Sequence, residues 1–206
     1  MKFYDSMGPN PKLVRMFAAE KDASLGEVVK VDLAGGENRQ GPYLEKNPAG
    51  QLPCIELDDG RILSETIAIC EWLEETNPEP ALIGTTPEER AETRMWVRRA
   101  EWKVIQPMAD GFRFGEGLAL FKDRIRTLPE ASDGLKAIAR DGREWFDTQL
   151  GSDGRDTIVP GRFTLADIAL FAFSEFGAAV GQPLDPAHKN LARWFEATAA
   201  RASAQA

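Results

Sequence analysis

Strand-forming sequence is confined to the first third of this chain, and that asymmetry limits what it can build. Apolar and β-branched residues alternate with polar ones over Lys2–Tyr4 and Glu27–Val31, and again on both sides of Asp58-Asp59-Gly60. After Leu63 no segment of comparable strand character follows, and apolar residues recur instead at helical spacing. Such a chain cannot interleave strands and helices through one large sheet. It reads as a small α/β unit followed by an all-helical one.

The first unit is expected over residues 1–80. After the strand at Lys2–Tyr4, Pro11–Glu20 places Leu13, Val14, Phe17 and Ala18 on one helical face. Ala34-Gly35-Gly36-Glu37-Asn38 has the composition of a loop. Cys54–Leu57 and Arg61–Leu63 flank the Asp-Asp-Gly turn as a hairpin, and Glu65–Glu75 reads as a helix stopping before Asn77-Pro78. The order is βαβ, a connecting segment, then ββα.

Pro78 and Pro80 mark a linker, and the second unit is expected over 86–206. Thr86-Pro87-Glu88-Glu89 opens a helix with a capping threonine, proline at the first position and acids in the first turn. Met95, Trp102, Ile105, Ala109 and Phe112 continue at near-helical spacing, and Trp96, Trp102, Trp145 and Trp194 read as core. Further helices are expected through Leu135–Leu150, Thr164–Phe176 and Asn190–Ala200. Thr164 and Asp167 have capping-box spacing.

The formal net charge is −8, which repels phosphate backbones and anionic lipid, so neither nucleic acid nor membrane is expected as a partner. One histidine and two cysteines, Cys54 and Cys70, supply no metal-ligand spacing, so no metal is expected. Free thiols and the absence of an apolar leader read as a cytoplasmic protein.

Three motifs go further. Asn47-Pro48-Ala49-Gly50-Gln51-Leu52-Pro53, followed by the hairpin and Leu63-Ser64-Glu65-Thr66-Ile67-Ala68-Ile69, resembles the glutathione-site stretch of the glutathione S-transferase superfamily. Phe163-Thr164-Leu165-Ala166-Asp167 resembles the opening of that superfamily's sixth helix, and Phe3–Ser6 with Pro11–Glu20 its first strand and helix. The resemblance implies a thioredoxin-like N-terminal domain and an all-α C-terminal domain, with glutathione as co-substrate. It implies a cis peptide before Pro53, with Gln51 and Leu52 beside it and the Leu52 main chain pairing with the cysteinyl backbone of glutathione. Glu65 and Thr66, at a helix start, are implied to hold the γ-glutamyl end, and Arg39 and Gln40 the glycyl carboxylate.

The resemblance also exposes a gap. Where many members carry a catalytic Tyr, Ser or Cys, this chain reads Ser6-Met7-Gly8-Pro9-Asn10-Pro11, with Gly8 at or near the position. Ser6, Gly8 and Asn10 are the candidates left for thiol activation. A thiol of pKa about 8.5 must fall to about 6.5 to be mostly ionised at neutral pH, which takes about 2.7 kcal/mol. One charge-assisted main-chain N–H contributes about 1.5–3 kcal/mol and the helix dipole about 0.3–1, so a backbone site suffices in principle. A fungal and bacterial branch resembles this chain and also lacks the usual hydroxyl. Its members often carry a histidine in the segment equivalent to Phe112–Gly117, where this chain has Phe114. Arg113 and Glu116 are the polar residues to consider in its place, while the only histidine, His188, lies near the last helix and reads as a solvated cap residue. Met108, Phe112 and Phe114 are expected to line an apolar electrophile pocket. The resemblance implies a homodimer that conjugates glutathione to small hydrophobic electrophiles, with a non-catalytic glutathione-binding carrier as the alternative.

Overall fold

A computed structural model describes residues 1–206. The chain divides into two compact units: Met1–Ala81 joined by Ala202–Ala206, and Leu82–Arg201.

The first unit is built on a four-stranded sheet of order β2-β1-β3-β4. Its strands are β1 (Lys2–Asp5), β2 (Glu27–Lys30), β3 (Cys54–Glu56) and β4 (Ile62–Ser64), with β1 parallel to β2 and antiparallel pairing from β1 to β3 and β3 to β4. Helix α1 (Pro9–Glu20) makes the β1–β2 crossover, α2 (Gly41–Leu44) is a single turn in the connecting segment, and α3 (Thr66–Thr76) packs against α1. Successive side chains of a strand face opposite ways, so β1 divides two cores. Tyr4 joins Val31, Tyr43, Leu52 and Cys54 on one face. Phe3 and its register partner Ile55 are fully buried on the other. The Tyr43 hydroxyl donates to the Gln51 carbonyl at 2.6 Å and lies 3.4 Å from Cys54 Sγ, which ties α2 to the segment entering β3. The C-terminal residues close back on this unit, with Ser203 Oγ bonded to the Glu20 carboxylate and Ala204 buried.

The second unit is helical throughout, apart from one isolated bridge between Val159 and Arg162. Helix α4 (Pro87–Ala100) opens with a full capping box: Thr86 Oγ1 accepts the Glu89 N–H at 3.2 Å, and Glu89 Oε2 accepts those of Thr85 and Thr86. It runs through a π-helical turn, Glu101–Ile105, into α5 (Gln106–Phe114). Pro107 explains the turn, because it cannot donate to the Lys103 carbonyl four residues back and its ring collides with it. The displaced carbonyl leans on Gly142, where any Cβ would come within 2.1 Å of the Lys103 oxygen. One proline thus demands one glycine on the facing helix. Helix α6 (Leu118–Phe121) is one turn, α7 (Ser132–Asp153) is the long central helix packed on α5, and α8 (Leu165–Ala179) and α9 (Lys189–Ala199) complete the unit.

The π turn also corrects one expectation. Trp102 lies on it, 62% exposed and stacked only by Arg98 at 5.0 Å, and so it is not a core residue. Adding a residue to the turn rotates the helix face, so the 3.6-residue period that placed Trp102 inside no longer applies. Trp96 and Trp194 are buried, and Trp145 stacks on Trp96 and Phe146. No helix is long and apolar enough to cross a membrane.

Candidate functional site

Sheet register brings the motif segments of the first unit to one end. Tyr4 pairs with Cys54, Cys54 with Ser64, and Asp5 with Lys30. Asp5–Gly8, Gln51–Pro53, Glu65–Thr66 and Val31–Leu33 therefore all leave the sheet at the same end. These segments lie far apart in sequence and converge only because β1 and β2 run one way while β3 runs the other.

At that end the main chain is open in several places. The Leu52–Pro53 peptide is cis, and neither the N–H nor the C=O of Leu52 is paired within the chain. The preceding Gln51 carbonyl is saturated, taking bonds from Tyr43 Oη and from Asn47 Nδ2 at 2.8 Å, while its side chain is exposed. Glu65 is the N-cap residue of α3, with φ of 70° and no side-chain cap, which leaves the first-turn N–H groups of Thr66 and Ile67 without partners. A non-glycine residue in that region costs about 1–3 kcal/mol and marks a position held by its surroundings. The Glu65 side chain is exposed and Thr66 half-buried.

The start of α1 is also uncapped. Gly8 is its N-cap at φ 110°, and Pro9 and Pro11 have no N–H to offer. The Lys12 N–H is spent on the Gly8 carbonyl at 3.3 Å. The main-chain donor left in the first turn is that of Asn10, which bonds to nothing in the chain. Ser6 is differently placed: its hydroxyl donates to the Val31 carbonyl at 2.7 Å in a buried setting, so its one proton is committed. Tyr4 points away into the opposite core and donates to Glu56 Oε2 at 2.6 Å, with burial raising its pKa.

Arg39 and Gln40 close a short 3-10 turn. Arg39 Nη1 reaches the Ala49 carbonyl at 3.4 Å and its Nε is buried without an acceptor, while the Gln40 side chain is exposed and unbonded. The neighbouring Asn38 holds the Gly50 carbonyl at 2.6 Å, so this turn braces the loop leading to Pro53.

In the helical unit, Met108 is fully buried. Its sulfur accepts from Arg143 Nη2 at 3.0 Å and its carbonyl from Gln182 at 3.2 Å, so it offers no surface to a ligand. Met108 therefore does not line the apolar pocket expected of it with Phe112 and Phe114, because it belongs to the packed face of α5. Phe112 and Phe114 are half-buried, the former edge-on to Phe121 and Phe176. Arg113 is paired with Asp110 at 2.8 Å and Glu116 with Lys136 at 2.7 Å, which lowers the Glu116 pKa. His188 stands at the N-cap of α9 with a buried, unpartnered Nδ1, and Asp147 caps that helix instead.

Two comparisons decide the family. The glutathione S-transferase N-terminal domain model matches residues 8–76 and the glutathione S-transferase C-terminal domain model residues 135–202. Glutathione S-transferase 2 of Saccharomyces cerevisiae is 30% identical over 95% of this chain and 84% of its own length. The chain belongs to the glutathione S-transferase family. Solved relatives share the whole architecture: Gtt2 of Saccharomyces cerevisiae superposes with a TM-score of 0.90 at 29% identity, covering 100% of this chain and 99% of its own. A glutathione S-transferase domain-containing protein of Marinobacter aquaeolei VT8 does so at 0.90 and 32% identity, covering 98% of this chain and 99% of its own. The four-stranded mixed sheet followed by helices is the glutathione S-transferase fold.

Sequence reasoning missed one feature of this family member. Asp5 is fully buried at the end of β1 and carries ion pairs from both Arg15 of α1 and Lys30 of β2. Arg15 and Lys30 are walls of a cavity of about 460 Å³ that also includes Ser6, Met7, Asp32 and Leu33. Only the parallel register of β1 and β2 sets Asp5 opposite Lys30, and no local motif announces that pairing. No group of three or more His, Cys, Asp or Glu side chains is placed to hold a metal ion.

Proposed function

We propose that this glutathione S-transferase family member conjugates the glutathione thiolate to small hydrophobic electrophiles, activating the sulfur through main-chain donors at the start of α1. The observation carrying this reading is the convergence of open main chain at one end of the sheet: Leu52 with no partner, the uncapped start of α3 at Glu65-Thr66, and the free N–H of Asn10 beyond Gly8. An extended peptide adds to Leu52 as a further strand. Its γ-glutamyl carboxylate sits at the positive end of α3, with the Glu65 carboxylate toward its ammonium group. Arg39 and Gln40 serve the glycyl carboxylate, through Arg39's fork of donors.

With the Ser6 proton committed to Val31, the Asn10 N–H and the α1 dipole are what stabilise a thiolate near Gly8. The thiol proton passes to solvent and sulfur bonds to the electrophilic carbon. A halide then leaves with its bonding pair, or a conjugated alkene takes up a proton at its other carbon. The working form proposed is a cytoplasmic homodimer, and the exposed Met95 and Trp102 are surface that a second copy would cover.

The test is a pH titration of glutathione thiolate absorbance with and without saturating protein. An apparent pKa lowered by one to two units supports conjugation. Tight binding with an unshifted pKa supports the second reading, a glutathione-binding carrier, which the engaged states of Ser6, Arg113 and Glu116 favour. Both readings expect Glu65→Ala to abolish retention on immobilised glutathione, and unchanged retention would remove the site.

A further inference from the structure

The Asp5, Arg15 and Lys30 cluster has no part in holding glutathione in the reading above, yet its cavity wall includes Ser6 and Met7, the two residues that precede Gly8 in the chain. The three charges do not cancel. One buried carboxylate faces two cations, and neither cation is exhausted by it. Arg15 donates from Nη1 alone, to Asp5 and to the Ser6 carbonyl, which leaves its Nε and Nη2 donors unspent. Lys30 gives one of its three N–H bonds to Asp5, and its side chain is 75% exposed. Asp32, the other acid in the wall, accepts the Gly35 amide at 2.8 Å and keeps its negative charge, so selection of an anion rests on the unspent donors of Arg15 and Lys30 and not on a net positive wall.

Beside these donors the wall is apolar. Met7 is 65% exposed and Leu33 half-buried. The cavity is a depression open to solvent, with a volume in the range of small-molecule sites. An apolar surface of this kind, edged by a guanidinium fork and an ammonium, matches a flat apolar body carrying a carboxylate.

We infer that this cavity is a specificity site for acidic electrophiles, with Arg15 and Lys30 holding the anionic group and Asp5 fixing both cations in place. The inference rests on the reading that the thiol of glutathione lies near Gly8. Asp5 is a positioning residue here, since it touches only the two cations. Arg15 and Lys30 select the co-substrate and leave thiol activation to the main chain.

The experiment compares 3-nitrobenzoate with its neutral counterpart 3-nitrobenzamide, two unreactive probes, by calorimetry in the absence and presence of saturating S-methylglutathione. The benzoate is expected to bind at least fivefold more tightly than the amide, under both conditions. Lys30→Gln and Arg15→Gln should each bring that ratio to within twofold, while Arg15→Lys, which keeps a cation, retains most of it. Equal affinities, or a preference that survives in Lys30→Gln, overturn the inference. So does displacement of the benzoate by S-methylglutathione, because the anion site would then be glutathione's own.

A kinetic arm uses 4-chloro-3-nitrobenzoate and 4-chloro-3-nitrobenzamide, from which the thiolate displaces chloride. The kcat/KM ratio of acid to amide should follow the binding ratio through the same variants, and a ratio indifferent to Lys30 overturns the inference. The two readings fail separately. If glutathione conjugation is absent but the probe preference stands in free protein, the cavity is an anion site in a carrier. If both substrates react equally, conjugation stands and the cavity does not select.

Discussion

The two units bury charge in opposite ways. In the sheet unit, buried ions meet opposite ions: Asp5 with Arg15 and Lys30, and Lys21 with Glu74 at 2.7 Å, the last pair almost wholly out of solvent. In the helical unit, buried ions meet neutral dipoles. Asp167 of α8 takes the N–H groups of Ile158 at 2.8 Å, Thr164 at 2.9 Å and Trp194 Nε1 at 2.9 Å. Arg143 of α7, 2% exposed, has only the Pro183 carbonyl and the Met108 sulfur as acceptors.

Solvation separates the two arrangements. Burial pushes the Asp167 carboxyl up to about 6 and the Arg143 guanidinium down to about 10, because dipoles only partly replace water. Around Asp5, pairing keeps charge available next to an opening, as Arg15 and Lys30 are at their cavity, whereas the Lys21–Glu74 pair lies out of solvent. Dipolar solvation holds a structural junction where no ligand needs to reach. Asp167 shows the second use: one carboxylate closes the capping box of α8, anchors the 158 loop and pins Trp194 of α9.

The largest expected effect breaks the contrast at Lys21. Lys21→Met removes the buried ammonium that pairs with Glu74 and should cost about 3–5 kcal/mol in urea unfolding, whereas the double variant with Glu74→Leu should regain most of it. A loss that the second change does not repair would mean that Lys21 acts by other contacts, among them its 2.6 Å bond to the Pro80 carbonyl. Next in size is Asp167→Ala, which strands three buried N–H groups and should cost about 3 kcal/mol.

Asp167→Asn sharpens the comparison through pH. A carboxyl whose folded pKa stands near 6, against about 3.8 unfolded, is protonated more readily in the folded state. It weakens the fold above pH 6, and that penalty fades as pH falls toward 4. The stability gap between the native protein and Asp167→Asn should therefore widen from pH 7 to pH 5, and a constant gap would show that the three donors fully replace water. The smallest effect is at Arg143. Arg143→Met removes a cation without a counter-ion and should leave stability within about 1 kcal/mol of the native protein. A loss above about 3 kcal/mol would show that its bonds to Pro183 and Met108 outweigh the burial of its charge.

Much of the architecture is legible in the residues. The hairpin at Asp58-Asp59-Gly60, the cap at Thr86 and the Thr164–Asp167 box each lie within a few residues of one another, where local bonding rules operate. The elements of the sheet unit that were expected fall within one or two residues of their expected ends, as at Pro9–Glu20 and Thr66–Thr76, whereas α7 and α8 run three residues further than expected. Periodicity failed where a helix stopped being regular, as Trp102 shows, and Met108, expected at a pocket wall, is fully buried. Among the candidate site residues, sequence picked out the segments but not the state of their groups. Ser6 was a candidate for thiol activation and its hydroxyl is bonded, while Asn10 has a main-chain N–H that two flanking prolines leave alone in the first turn.

The sequence by itself determined a sheet unit followed by a helical unit, the helix starts and turns, and the absence of a hydroxyl or thiol at Gly8. These follow from propensities and bonds that span a handful of residues. Tertiary structure alone decided that four distant segments leave the sheet at one end, that Asp5 meets both Arg15 and Lys30, and that Arg143 has no counter-ion. The reason is register: strand pairing and helix packing join residues tens of positions apart, and the energy of those meetings exists only once the chain has closed around them.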